Sequence, residues 1–391
     1  MKLACVVHRY GLDIAGGSEA HCRHVAEHLA GQHDVTILTT CAKDHISWRN
    51  EYEAGTSTIG PVTVMRFPVI RQRSLHRFAE ASELAFSGAA SDAEQDEWFH
   101  QNGPDAPALV EFLRAHGHDF DAVLFWAFRY AEVYFGLPAV ADRAVLVPTA
   151  EEDPVIRMSV LERFFDRPAG YIFLTPEEQE LVERRMRAPK PSCIIGSGLD
   201  AAAAAPRIDL ASTGIRSPFV LYLGRIDPNK GCADLLAHFT RFAAEERRGV
   251  QLVMAGPASM PLPEHPDVRY LGFVDQQMRD GLLTQAALLA MPSRYESLSL
   301  VLLEAWNHGL PALVNGHCAV LKGQALRANG ALYYRNYDEF ARCLTRMLDQ
   351  PDLREALGQQ GLAYVNREYR WPTVIAKING LLERVTVRRV S

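Results

Sequence analysis

The stretch Phe219-Val-Leu-Tyr-Leu223 is apolar at every position and runs straight into Gly224-Arg-Ile-Asp-Pro-Asn-Lys-Gly231. An unbroken apolar run of strand length, closed by glycine, reads as a strand buried on both faces. Strands of that kind belong to parallel sheets covered by helices on both sides, which confines the chain to an α/β architecture. The pattern recurs. Residues 2–7, 34–39, 62–67, 121–126, 144–148 and 170–174 read as strands of one series, and 219–223, 250–255, 268–271, 287–291 and 311–314 as strands of a second. Helical spacing is predicted over 17–30, with Ser18 as its cap, and over 232–246, 298–308, 337–349 and 372–385. Two Rossmann-like domains follow, with ligands expected at the carboxyl ends of the strands.

A length of 391 residues suits two domains of ordinary size. The run Ala201–Ala205 with Pro206 is low in complexity and is the linker candidate. It sets the domains at 1–200 and 207–370, with 371–391 as a final helical segment. Residues 87–107, rich in Ser, Gly, Ala, Asp and Glu but carrying Trp98 and Phe99, read as an excursion from the first sheet. A net charge of −6, with no nucleic-acid motif, argues against DNA or RNA as a partner. The seven cysteines are odd in number and show no Cys-x-x-Cys, which points to reduced thiols and a cytoplasmic protein. The apolar run before Cys5 is too short for a signal peptide, and no stretch approaches the roughly 20 apolar residues of a membrane span.

The chemistry gathers after two strands. Strand, glycine turn, Arg225, Lys230 and then a helix is a phosphate-binding arrangement in outline. Downstream, Glu296-Ser-Leu-Ser-Leu-Val-Leu-Leu-Glu304 places two carboxylates seven residues apart. Glu296 precedes the predicted helix, where the N–H groups of Leu298, Ser299 and Leu300 have no helical acceptor. Glu304 falls inside the apolar run, where a carboxylate is costly unless hydrogen-bonded. Gly16-Gly17 after the first strand lets the backbone approach a ligand closely. The His residues have no metal-ligand spacing, and there is no Asp-x-Asp, so neither a metal nor another cofactor is expected.

Glu-x7-Glu with Gly224-Arg225 and Lys230-Gly231, the Gly16-Gly17-Ser18-Glu19 loop, and Tyr369-Arg370-Trp371 before a final apolar helix resemble the retaining GT-B glycosyltransferases of glycosyltransferase family 4. The resemblance covers nearly the whole chain. It implies two Rossmann-like domains facing a central cleft, with the final helix crossing back to the N-terminal domain. It implies transfer of a sugar from a nucleotide-sugar donor to a hydroxyl acceptor, with retention and without an essential metal. In that family pattern Arg225 and Lys230 meet the diphosphate, Glu296 the donor sugar, the amides of Leu298, Ser299 and Leu300 the phosphates, and Glu304 the ribose, with Ser297 also on the donor side. Gly272, Phe273 and Val274 are similar to the loop that meets the base, and Gly16-Gly17 to the donor-side glycine loop. Arg225, Lys230 and Glu296 are the catalytic candidates.

On the acceptor side the chain departs from the family, with Ala150-Glu151-Glu152-Asp153 where many relatives carry a His-Asp pair. Glu151 either binds acceptor hydroxyls, pairs with a cation such as Arg129, or is a plain loop charge. The acceptor implied is a saccharide or lipid-linked saccharide of cell-surface polysaccharide synthesis. The segment from Arg66 to Phe78 mixes arginines with apolar residues, and reads either as a solvated face or as a peripheral contact with the inner surface of the membrane. A sugar-nucleotide epimerase and a non-catalytic nucleotide-sugar-binding protein remain as alternatives. A nicotinamide oxidoreductase is disfavoured, because no Gly-x-Gly-x-x-Gly follows the first strand.

Overall fold

A computed structural model describes residues 1–14, 16–202 and 208–390. The larger part of the linker candidate, from Ala203 to Pro206, lies outside the described residues. The chain forms two compact units, Met1–Gly198 with Trp371–Ser391, and Leu199–Arg370.

The first unit carries an eight-stranded sheet. Its strands are β1 (Lys2–Val6), β2 (Asp34–Thr40), β3 (Gly55–Ile59), β4 (Val62–Phe67), β5 (Ala122–Trp126), β6 (Ala144–Val147), β7 (Gly170–Phe173) and β8 (Ser192–Ile194), in the order β3-β4-β2-β1-β5-β6-β7-β8. Every pairing is parallel except β3 with β4. The strands β5, β6 and β7 are buried along their whole length, as continuous apolar runs require. The β3 strand was not expected from the sequence. Gly-Thr-Ser-Thr-Ile lies at an exposed edge, so it carries no apolar signature.

The segment after residue 87 forms a helix, Asp92–Asn102, opened by a reciprocal Ser91–Glu94 capping box. Its Trp98 and Phe99 are buried in the main core of this unit. The first helix begins at Gly17, as its spacing predicts, but its cap residue is Gly16 and not Ser18. Ser18 therefore lies in the first turn, and its hydroxyl donates to Glu19 at 3.0 Å instead of capping.

The second unit carries β9 (Phe219–Leu223), β10 (Gln251–Ala255), β11 (Val268–Tyr270), β12 (Leu288–Met291), β13 (Ala312–Asn315) and β14 (Ala331–Tyr334). All pairings are parallel, in the order β11-β10-β9-β12-β13-β14. The neighbours β9 and β12 are central, so the loops leaving their carboxyl ends, 224–231 and 292–299, emerge side by side. That adjacency brings the two halves of the motif together.

The chain enters the second unit at Leu199 and leaves it at Arg370. The Leu199 amide donates to the Tyr369 carbonyl at 2.7 Å, and the Arg370 guanidinium donates to the Asp200 carbonyl at 2.7 Å. The final helix, Trp371–Val390, belongs to the first unit.

Candidate active site

The turn after β9 is shaped by Gly224 and Asp227. Gly224 has φ +136°, a conformation that side chains disfavour. The buried Asp227 accepts the Lys230 amide at 2.9 Å, closing a short 3-10 turn over Pro228–Lys230, and it also accepts from the Arg225 guanidinium. Gly231 follows at φ +72°, and a side chain there would collide with the Pro292 carbonyl of the neighbouring loop. The phosphate-type turn is thus wedged against the loop that carries Glu296.

Across that contact the Lys230 ammonium lies 2.9 Å from Glu296 Oε1. Both side chains are mostly covered, so their charges act in a medium less screened than bulk water. Glu296 leads into Ser297, Leu298 and Ser299. Ser299 takes a left-handed conformation, φ +69°, as the residue before the helix Leu300–Asn307. The Leu298 carbonyl is fixed by the Gln324 amide at 2.6 Å. The first N–H groups of this helix have no intrahelical acceptor, which makes its mouth attractive to an anion.

Glu304, in the second turn of that helix, is paired with Arg279 of the helix Gln276–Gln285. Burial raises the Glu304 carboxyl above its ordinary range, Arg279 opposes the shift, and Asp280 adds to it. The loop Gly272, Phe273 and Val274 leads through the cap Asp275 into the helix that carries Arg279. Phe273 is 85% exposed, an open aromatic face at the entrance to this region. The second unit therefore gathers Arg225, Lys230, Glu296, the Ser297–Leu300 segment and Glu304 around two adjacent loops and one helix. The sequence reading missed Asp227 and Arg279. An Asp three residues before the lysine was a visible capping signal for the first; nothing local marked the second.

Gly16 and Gly17 lie in the first unit. Gly16 caps the helix Gly17–Leu29 in extended conformation, and the Glu19 carboxylate folds back against its α-carbon. Gly17 faces open space. Glu19 is buried, and accepts from His8 Nε2 at 2.9 Å and from the Arg9 guanidinium. Burial works to raise its carboxyl, but its contacts with His8 and Arg9 outweigh that and hold it well below the ordinary carboxylate range. The His8 ring in turn stacks on Tyr130, with centroids 3.8 Å apart. His8 and Glu19 close a buried polar cluster at the carboxyl end of β1 that the sequence reading did not assemble.

Arg129 is bonded to Asp153 at 2.8 Å, and Glu151 adds to the negative charge around it. Asp153 Oδ1 also accepts the Val155 amide at 3.1 Å, which fixes the carboxylate beside Arg129. Two arginines of the segment from Arg66 to Phe78 face inward. Arg66 donates to the Tyr10 carbonyl at 2.8 Å, and Arg73 to the Asn102 carbonyl at 2.8 Å. Arg71, Arg77, Ile70 and Leu75 remain exposed.

Residues 217–350 match the family model for group 1 glycosyl transferases. The chain is 27% identical over 186 residues to an alpha-D-kanosaminyltransferase of Streptomyces kanamyceticus, covering 43% of this chain and 46% of that protein. It is 24% identical over 181 residues to a GDP-mannose-dependent monoacylated alpha-(1-6)-phosphatidylinositol monomannoside mannosyltransferase of Corynebacterium glutamicum, covering 43% and 47%. In these alignments the chain spans about half the length of the curated relatives it matches. Among solved structures it is similar to Anabaena HepE in complex with UDP, with a TM-score of 0.70 and 15% identity over 98% of this chain and 100% of that one. The second unit is thus similar to the group 1 glycosyl transferases, and the fold of the chain is GT-B.

Proposed function

We propose that the protein is a retaining glycosyltransferase that moves a sugar from a nucleotide-sugar donor to a hydroxyl acceptor without an essential metal. The observation that carries this reading is the pair Lys230–Glu296, 2.9 Å apart, beside the mouth of the helix Leu300–Asn307. A departing nucleoside diphosphate needs cations and aligned N–H groups; Lys230, Arg225 and the helix mouth supply both. Glu296 accepts hydrogen bonds from the donor sugar, Glu304 from the ribose, and the loop Gly272–Val274 meets the base. The leaving diphosphate takes the acceptor proton on the face from which it departs, and the protein contributes orientation and charge stabilisation.

UDP in the HepE structure and GDP-mannose in the name of one relative support a UDP- or GDP-sugar as donor. The acceptor is a saccharide or lipid-linked saccharide of cell-surface polysaccharide synthesis. No described helix is long and apolar enough to cross a membrane. Exposed Ile70 and Leu75 beside Arg71 and Arg77 suit contact with the cytoplasmic face of an anionic bilayer.

The test is to find the nucleoside diphosphate that stabilises the protein against heat, and then to follow transfer from the matching donors onto hydroxyl acceptors by NMR. A product with the donor's anomeric configuration is expected. An inverted product would remove the retaining mechanism. An epimerised donor formed without acceptor would replace the transferase reading.

A further inference from the structure

A second cavity opens in the same unit, with a volume of about 440 Å³. It lies at the carboxyl ends of β13 and β14, where Asn315 and Tyr334 terminate their strands, and reaches the first turns of the helix Cys232–Glu246 at Asp234 and His238. Arg294 and Tyr295, immediately before Glu296, form its wall toward the motif. No role in the donor site falls to any of these six residues.

Its chemistry is specific. The Arg294 guanidinium lies 3.0 Å from Asp234, and the guanidinium of Arg335, which also lines the cavity, lies 2.7 Å from Glu339. Each charge is therefore already balanced within the protein, which disfavours a phosphate or carboxylate ligand. The His238 ring sits edge-on to Tyr334, Tyr337 and Phe340, with centroids 5.5–6.0 Å away, and burial lowers its pKa, which favours the uncharged ring. Asn315 is buried and locked, donating to the Pro292 carbonyl at 2.8 Å and accepting from the His317 amide at 2.9 Å. Tyr295 is 51% exposed and offers an open ring face. A neutral pocket with fixed polar side chains and an aromatic wall matches a polyhydroxylated ring, whose hydroxyls pair with planar polar groups while its C–H face lies on the aromatic.

We propose that this cavity binds a neutral saccharide, at a site separate from the nucleotide sugar and beside it along the chain through the junction of Tyr295 and Glu296. The proposal places a sugar other than the transferred one next to the transfer site. In that placement, though not in the binding itself, it rests on the reading of Glu296 given above.

The experiment uses the full chain with methyl α-glucoside, methyl α-mannoside, methyl α-galactoside and glucose 6-phosphate, read by saturation-transfer NMR. UDP and GDP binding are measured in parallel by thermal shift. At least one neutral glycoside is expected to receive saturation. Its affinity should fall about tenfold in Tyr295→Ala, which removes one aromatic contact, and also in Asp234→Ala. Lys230→Ala and Glu304→Ala, which impair the nucleotide site, should leave it unchanged. Glycoside binding without any nucleotide shift would sustain this proposal while sinking the donor reading. The proposal is overturned if no neutral glycoside binds, if glucose 6-phosphate binds in their place, if Tyr295→Ala and Asp234→Ala bind as the wild type does, or if Lys230→Ala abolishes binding, since the sugar would then occupy the donor pocket.

Discussion

The indole of Trp371 lies flat on the imidazole of His28, with ring centroids 3.6 Å apart and planes 11° from parallel. Trp371 opens the final helix, is 7% exposed, and presses against Gly198, the last residue before the chain enters the second unit. One side chain therefore ties the returning helix to the first helix and to the exit point of the first unit. Removing it leaves a cavity among groups that cannot all collapse. Trp371→Ala is expected to destabilise the first unit by about 3–5 kcal/mol, with Trp371→Phe losing much less. Urea unfolding followed by far-UV dichroism checks this, and equal midpoints for wild type and Trp371→Ala would refute it.

A buried carboxyl gives this unit a pH signature. Glu178 accepts the Ala150 amide at 2.7 Å and the Leu174 amide at 2.6 Å, so it anchors the start of the loop that carries Glu151. Burial pushes its pKa up to about 8, against the pull of those amides. A carboxyl that holds its proton more tightly when folded contributes fully below the ordinary carboxylate range, and loses that contribution as pH rises to about 8. The slope is at most about 1.4 kcal/mol per pH unit. Glu132, also buried and raised, slopes the same way, while His21, lowered to about 4 by burial, slopes oppositely on the acid side. Both are common to wild type and Glu178→Gln, so the difference between the two proteins isolates Glu178. Across this window the wild type should lose stability relative to the variant as pH rises. A pH-independent difference would show that Glu178 does not titrate there.

The sheet was legible wherever a strand is buried on both faces, because a continuous apolar run admits few other readings. The strand Gly55–Ile59 was not, since its polar residues lie at an exposed edge, and Ser192–Ile194 has only three residues to signal itself. The grouping of Arg225, Lys230, Glu296 and Glu304 was legible because Arg225 and Lys230, or Glu296 and Glu304, are close in the chain. The Arg279–Glu304 pair is 25 residues apart and the Arg129–Asp153 pair 24. Such partners are chosen by packing between helices and loops, which periodicity does not encode. His8 and Glu19 were visible as residues but not as a pair, because only the folding of the helix after β1 back along that strand makes them meet.

Metal independence is the next expectation. Among the described residues, no group of three His, Cys, Asp or Glu side chains could hold a metal ion. On the proposed reading Arg225, Lys230 and the helix mouth do the neutralising instead. Transfer should persist in excess chelator at an undiminished initial rate. Loss of activity that magnesium or manganese restores would assign that charge to an ion.

Glu304 should make nucleotide binding sensitive to acid. Burial raises its carboxyl, so it gains a proton at a higher pH than an ordinary glutamate as the solution is acidified. On the proposed reading, protonation removes an acceptor for the ribose hydroxyls, and it uncouples Arg279. Affinity for the nucleoside diphosphate should therefore weaken as pH falls through that raised value, and Glu304→Gln should bind weakly and with no such dependence. Calorimetric titrations of both proteins across the acid range give the comparison; parallel profiles would remove Glu304 from the ribose contact.

The sharpest test falls on Lys230. Its ammonium is held by Glu296 at 2.9 Å, and its backbone amide by Asp227. The side chain can therefore be removed without disturbing the turn, which Asp227 and the two glycines maintain. On the proposed reading, Lys230→Ala takes a positive charge from the point where negative charge develops on the departing diphosphate, and it leaves Glu296, with its side chain only 12% exposed, without its cation. Loss of a preorganised contact of this type lowers turnover by a factor on the order of 10². The deficit should appear in kcat more than in KM, because the charge on the leaving group is greatest in the transition state. Lys230→Arg, which keeps the charge but not its compact shape, should recover only part of the rate. Initial rates at saturating donor, beside dichroism spectra showing an intact fold, decide the matter. A folded Lys230→Ala protein with near-normal kcat would exclude Lys230 from leaving-group stabilisation and return the Lys230–Glu296 pair to a structural role.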